Sequence, residues 1–109
     1  MKTKTKKETQ KPLEITREAF ESWLSKQPFE RRFCYMDNQR CLIASFLRES
    51  GLAPRAEVGG AFYRLTTTHK TFGPENSIPF DAFLTEINGL TVSLYQFTAG
   101  DFIRKYLAS

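Results

Sequence analysis

The stretch between Asp37 and Gly51 constrains this chain more than any other. Leu42, Ile43, Phe46 and Leu47 recur at i, i+1, i+4 and i+5, while Gln39, Arg40, Ser45, Arg48 and Glu49 take the remaining surface. That period is helical, and an apolar stripe of this kind has to be covered by other elements. Asp37 and Asn38 are both good N-caps, and Gly51 is a good C-terminal stop. A core helix lies between those signals, and the rest of the chain must build the surfaces that cover it.

Three more helices are predicted. The first runs from about Arg17 to Lys26, with Thr16 as cap, Glu18 and Glu21 near the positive end of its dipole, and Phe20, Trp23 and Leu24 on one stripe; Pro28 closes it. Another starts near Ile78 or Pro79 with Ser77 as cap, repeats the core spacing at Phe80, Phe83, Leu84 and Ile87, and ends at Asn88-Gly89. The last covers about Ala99 to Leu107, where Thr98 followed three residues later by Asp101 reads as a capping box. Strands are expected at Phe33–Tyr35, Ala61–Thr68 and Leu90–Phe97, from their aromatic and β-branched content. Residues 52–60 read as a connection with a bend at Gly59-Gly60, and residues 69–77 as a loop around Gly73-Pro74. The expected fold is α+β, with about four short helices packed on a small two- or three-stranded sheet.

With 109 residues the chain suffices for one domain and not two. Its charge looks like a nucleic-acid signal, since sixteen basic and twelve acidic residues give a net charge of +4. The distribution argues otherwise. Five of the basic residues, Lys2, Lys4, Lys6, Lys7 and Lys11, and only one acid fall in the first eleven positions, so the body from Pro12 onward is formally neutral. Residues 1–11 have nothing apolar to bury after Met1 and are expected to form a disordered basic tail, with residues 12–109 as the domain. Such a tail is a solubilising leader or, alternatively, a salt-sensitive arm for nucleic-acid phosphates. No apolar run approaches the roughly 20 residues of a bilayer span, and the Lys-rich start is not followed by the apolar stretch of a secretory signal. A cytoplasmic protein, monomeric or homodimeric, with no membrane association, is therefore expected.

Few residues are candidates for chemistry. Cys34 and Cys41 are the only cysteines and read as thiols. With His69 and Asp37 they would make four zinc ligands, but at no familiar spacing. Cys41, placed in the first turn of a capped helix, is where the dipole lowers a thiol's pKa, and His69 is the one imidazole available as its base. Against a Cys–His enzyme stand the shortness of the chain, Ala44 beside Cys41 on the helix, and the lack of an acid next to His69 to orient it. The packed, inert thiol is the reading taken. Gly59-Gly60 lacks the Lys-Ser/Thr of a phosphate-binding loop, and Gly60–Arg64 lacks the spacing of an RNA-recognition strand. The connection after the first helix is too long for a helix–turn–helix. No catalytic residue, metal or cofactor is assigned.

Aromatic content is the unusual feature: ten Phe, four Tyr and one Trp make 14% of the chain. Phe29, Phe62, Tyr63, Phe72, Tyr95 and Phe97 are not all placed by helical stripes, and exposed aromatics near Arg are the usual anchors of protein interfaces. The predicted binding residues are Phe62, Tyr63 and Phe72, with Arg31, Arg32 and Arg55 beside them.

Phe20-Glu21-Ser22-Trp23-Leu24, then Phe33 to Asn38, then Cys41-Leu42-Ile43-Ala44-Ser45-Phe46-Leu47 resemble small uncharacterised proteins of bacteriophages and mobile elements. Those share a Trp-Leu helix, an aromatic strand, an Asp/Asn cap and a Cys-Leu-x-Ala-x-Phe-Leu helix. The resemblance covers about half of the chain. It admits the class of stoichiometric inhibitors of host defence complexes, anti-CRISPR proteins among them, and supplies no functional residue. The expected function is thus non-enzymatic binding of a host protein or complex. The alternatives are a nucleic-acid accessory protein using the tail and a Cys41/His69 thiol enzyme.

Overall fold

A computed structural model describes residues 12–66 and 77–109. The chain runs α1 (Arg17–Ser25), β1 (Arg32–Cys34), α2 (Leu42–Glu49), β2 (Glu57–Gly59), β3 (Phe62–Arg64), β4 (Ile78–Pro79), α3 (Ala82–Leu94), β5 (Gln96–Thr98) and α4 (Ala99–Ala108). The arrangement is α+β, as expected, but the single small sheet is two. One is a ribbon in which β1 pairs antiparallel with β5, Phe33 opposite Phe97. The other has the order β2-β3-β4, with Val58 opposite Tyr63 and Tyr63 opposite Ile78.

Local capping decides where α1 and α4 begin. Thr16 accepts a hydrogen bond from the Ala19 N–H at 3.0 Å. Thr98 and Asp101 form the reciprocal capping box, Asp101 N–H to Thr98 Oγ1 at 3.1 Å and Thr98 N–H to Asp101 Oδ2 at 3.0 Å. Helix α2 is the central element, its residues 42–47 all buried. It starts later than its sequence signals suggest. Asp37 Oδ1 accepts from the N–H groups of Gln39 and Arg40, each at 2.9 Å, and so caps the preceding turn. Cys41 is the N-cap, its Sγ accepting from the Ala44 N–H at 3.4 Å. Gly51, at φ +87°, ends the segment in the left-handed region that favours glycine.

The second half departs further from expectation. Strand β2 lies inside the predicted connection 52–60. Ile78-Pro79 form β4 instead of a helix start, because the Phe80 N–H is drawn to Ala61 O at 2.9 Å. Asp81, not Ser77, caps α3, accepting from the Leu84 N–H at 2.8 Å. Helix α3 then runs through Asn88-Gly89 to Leu94, over residues predicted as a strand. A helical glycine costs about 1 kcal/mol, and full burial of Ile87 and Thr91 on either side outweighs it. The helix stops at Tyr95, which has φ 64° and ψ −76°, a conformation glycine tolerates and tyrosine rarely adopts. The predicted strand 61–68 is ordered as β3 only over Phe62–Arg64; its last two residues and most of the predicted 69–77 loop lie outside the described residues.

Helices α1, α2 and α4 meet around Phe20, whose ring lies 5.2 to 6.2 Å from those of Trp23, Phe46, Phe83, Phe102 and Tyr106. The ribbon presses Phe33 and Phe97 onto the same core. Among the described residues no helix is long and apolar enough to cross a membrane.

Candidate functional site

The predicted binding residues do not form one patch. Tyr63 is a core residue, 2% exposed, stacked on Phe80 with its hydroxyl accepting from the Leu13 N–H at 3.0 Å. Its place as an exposed anchor is therefore corrected: alternation along β3 points it inward, opposite Val58 and Ile78. Phe62 is half-buried, and Arg32 and Arg55 are exposed on separate elements. Arg31 is committed internally. Its guanidinium forks onto Glu49 at 2.7 and 2.6 Å, reaches Gln27 Oε1 at 2.6 Å, and lies over the rings of Phe33 and Trp23. The hydrogen bonds from Arg31 hold the Glu49 carboxyl below the usual glutamate range. Phe72, His69 and the tail lysines Lys2, Lys4, Lys6, Lys7 and Lys11 lie outside the described residues.

Cys41 is 5% exposed, and burial pushes its thiol up to about 11, overriding the lowering by backbone N–H groups at the helix start. The accessible, acidic thiol that a first-turn position implies is thus absent, because as the N-cap Cys41 turns its sulfur inward onto the Ala44 N–H. No group of three or more His, Cys, Asp or Glu side chains among the described residues is arranged to hold a metal ion.

Among the described residues two surfaces stand out, one at each end of the β1–β5 ribbon. Its ladder extends past both strands, from the Gly100 N–H to Phe29 O at 2.9 Å at one end to the Tyr35 N–H to Tyr95 O at 2.8 Å at the other. The two ends are about 20 Å apart at the usual strand rise. Arg32, Cys34, Gln96 and Thr98 share the ribbon face away from Phe33 and Phe97.

At the first end Phe29 is 69% exposed beside an open groove of about 490 Å³ lined by Glu30, Thr98, Gly100, Ile103 and Arg104. Gly100, Ile103, Arg104 and Leu107 follow i, i+3, i+4, i+7 spacing along α4, so Leu107, 76% exposed, continues the apolar surface. Arg104 holds Asp101 at 2.6 Å on the rim. Phe29 is one of the aromatics that no helical stripe places, and that lack of a local role was its signal. Leu107 carried none, since its spacing is also that of a core position.

At the second end a cleft of about 250 Å³ opens between the Tyr35-Met36 turn, the start of α2, the Gly59-Gly60 bend and α3. Asn88, Thr91, Val92 and Tyr95 repeat at i, i+3, i+4 and i+7 along this side of α3. Met36 is 63%, Tyr95 49% and Val92 45% exposed. The backbone strain at Tyr95, of order 1–3 kcal/mol, is thus located at the edge of a cleft. Nothing in the local sequence marks Met36 or Asn88 as surface-forming here. Comparison with family models, curated proteins and solved structures finds no match to the chain.

Proposed function

We propose that this chain is a small protein-binding module without enzymatic activity, a stoichiometric inhibitor of a host complex of the kind its sequence pattern resembles. The observation that supports this most is the pair Phe29 and Leu107, a large aromatic and a large aliphatic side chain left almost wholly in water beside a groove edged by Arg104. Aromatic residues, Phe among them, and arginine are enriched at protein interfaces, and a neighbouring leucine adds apolar surface to be covered. The raised pKa and burial of Cys41 support binding over thiol chemistry. Affinity capture from bacterial lysate with and without nuclease treatment, comparing the native chain with a Phe29→Ser, Leu107→Ser variant, tests the reading. Near 1:1 retention of one protein by the native chain, lost in the variant, is expected. Retention of nucleic-acid proteins that disappears on nuclease treatment would transfer the function to the tail, and equal capture by both forms would remove the Phe29 face from it.

A further inference from the structure

The cleft at the other end of the ribbon has a chemistry of its own. None of the ten residues that line it carries a charge at neutral pH. On the α3 side residues 87–100 contain no Asp, Glu, Lys or Arg, in a protein where such residues make up 26%. Of the charged residues next to the rest of the lining in sequence, Asp37 accepts from the Gln39 and Arg40 N–H groups, Glu57 is paired with Arg64, and Arg40 is exposed. A charged group entering the cleft would be desolvated with no charged side chain among the described lining residues to pair with it, which disfavours its entry. The occupant is therefore uncharged where it makes contact. The volume of about 250 Å³ falls below the roughly 300–1,000 Å³ of sites for drug-sized molecules. It suits one large side chain with a short length of backbone.

The polar groups narrow the choice. Asn38 and Asn88 both line the cleft, one before α2 and one on α3. Their backbone carbonyls are used, by the Val58 N–H and by Thr91 Oγ1, but neither side-chain carboxamide makes an intramolecular hydrogen bond. A carboxamide offers a donor and an acceptor side by side, the same pair that a peptide group presents. Between them the bend at Gly60, φ +60°, has open space where a Cβ would stand, so the floor is accessible to a backbone. Met36 lines the cleft and is largely exposed, and Val92 and Tyr95 are exposed one and four residues beyond the lining residue Thr91.

The geometry points to a second docking site, distinct from the Phe29 face: a cleft for an extended, uncharged segment of a partner protein. The segment inserts one large apolar side chain between Met36 and Thr91 and pairs its peptide groups with the carboxamides of Asn38 and Asn88. The site does not depend on the Phe29 face and stands or falls without it.

A display library of random linear peptides, selected against the full native chain, is the probe. Enriched peptides are expected to share a large apolar residue within an uncharged stretch. On titration they should shift the side-chain NH2 resonances of Asn38 and Asn88 and the Met36 methyl resonance. Asn88→Ala should weaken a selected peptide by about tenfold, the scale of one or two hydrogen bonds left unmade. Asn38→Ala serves where Asn88→Ala perturbs folding, since the Asn38 side chain is exposed and bonds to nothing. Met36→Lys should abolish binding by bringing a charge to the rim. The proposal is overturned by failure to enrich any peptide, by a charged consensus, by shifts centred on Phe29 and Leu107, or by equal affinity for the Asn38 and Asn88 variants.

Discussion

The surroundings of Phe20 and the cleft beside Tyr95 are built from similar residues and treat them in opposite ways. Around Phe20 five aromatic rings close on one another, and the polar groups at the edge satisfy each other. Arg17 donates to the Tyr106 hydroxyl at 2.7 Å and reaches Glu86 at 3.3 Å, while that hydroxyl donates to Glu21 at 2.7 Å. Around the cleft, by contrast, two carboxamides are left without intramolecular partners, Met36 and Val92 face solvent, and a tyrosine is held at positive φ. A ring packed on all sides contributes stability and is closed to a partner. A water-exposed polar group or apolar side chain contributes little to folding and is open to contact with a partner. The Phe20 cluster is thus closed on itself, while the cleft beside Tyr95 leaves polar and apolar groups open to solvent.

The largest expected effect is at the packed end. Phe20→Ala removes the ring on which the other five converge, and should cost about 4 kcal/mol in denaturant unfolding, within the range for buried Phe truncation. A loss below 1 kcal/mol would show that the core collapses around the gap. The buried pair of Glu57 and Arg64, facing each other across β2 and β3 at 2.6 Å, comes next. Glu57→Gln takes away the carboxylate that the Arg64 Nε and Nη2 groups bond at 3.1 and 2.6 Å, which should cost up to about 3 kcal/mol at pH 7. Burial pushes the Glu57 carboxyl up, but Arg64 and Gln39 together hold it below the usual glutamate value. A carboxyl depressed by folding stabilises above its unfolded pKa, about 4.3, and that contribution is lost as the pH falls through the folded pKa. The gap in Tm between the native chain and Glu57→Gln should therefore be full at pH 7 and shrink as the pH is lowered below about 4. A gap that stays constant to pH 3 would mean the pair is not ionic.

The packed end was also the more legible end. Helix α1 follows from Thr16 and the Phe20-Trp23-Leu24 stripe, and α4 from the Thr98/Asp101 box, because caps and stripes act within four residues. Around the cleft the deciding contacts come from distant parts of the chain. Asn88-Gly89 has the composition of a helix end, and Thr91 to Phe97 that of a strand. Burial of Ile87 and Thr91 against other elements keeps those residues helical, and no local pattern encodes that. The same limit applies to the sites. Aromatic abundance alone does not say which rings are covered: Tyr63 is packed on Phe80 from the middle strand of its sheet, whereas Tyr95, at a helix end, is half exposed.

Smaller effects belong to Tyr95. At φ 64° any residue with a Cβ is strained, so Tyr95→Ala loses the ring and keeps the strain, whereas Tyr95→Gly loses both. The glycine variant should be more stable than the alanine variant by about 1 kcal/mol, the reverse of their order in an ordinary helix. Alanine equal to or above glycine would show that the helix end relaxes, and that nothing at the cleft requires the strained backbone. With the strain confirmed, the tyrosine is kept at a cost to folding.

The smallest effect on stability is the most informative about the comparison. Met36→Ser removes a side chain that is 63% exposed and touches little of the core, so unfolding should change by no more than about 0.5 kcal/mol. Binding of a cleft-selected peptide should nevertheless weaken severalfold, since the rim loses the apolar surface that the incoming side chain would cover. Phe20→Ala defines the opposite limit, where stability falls and any loss of binding follows the fraction unfolded. If Met36→Ser lowered stability as much as it lowered affinity, the rim would belong to the core. The two ends would then differ in degree and not in role.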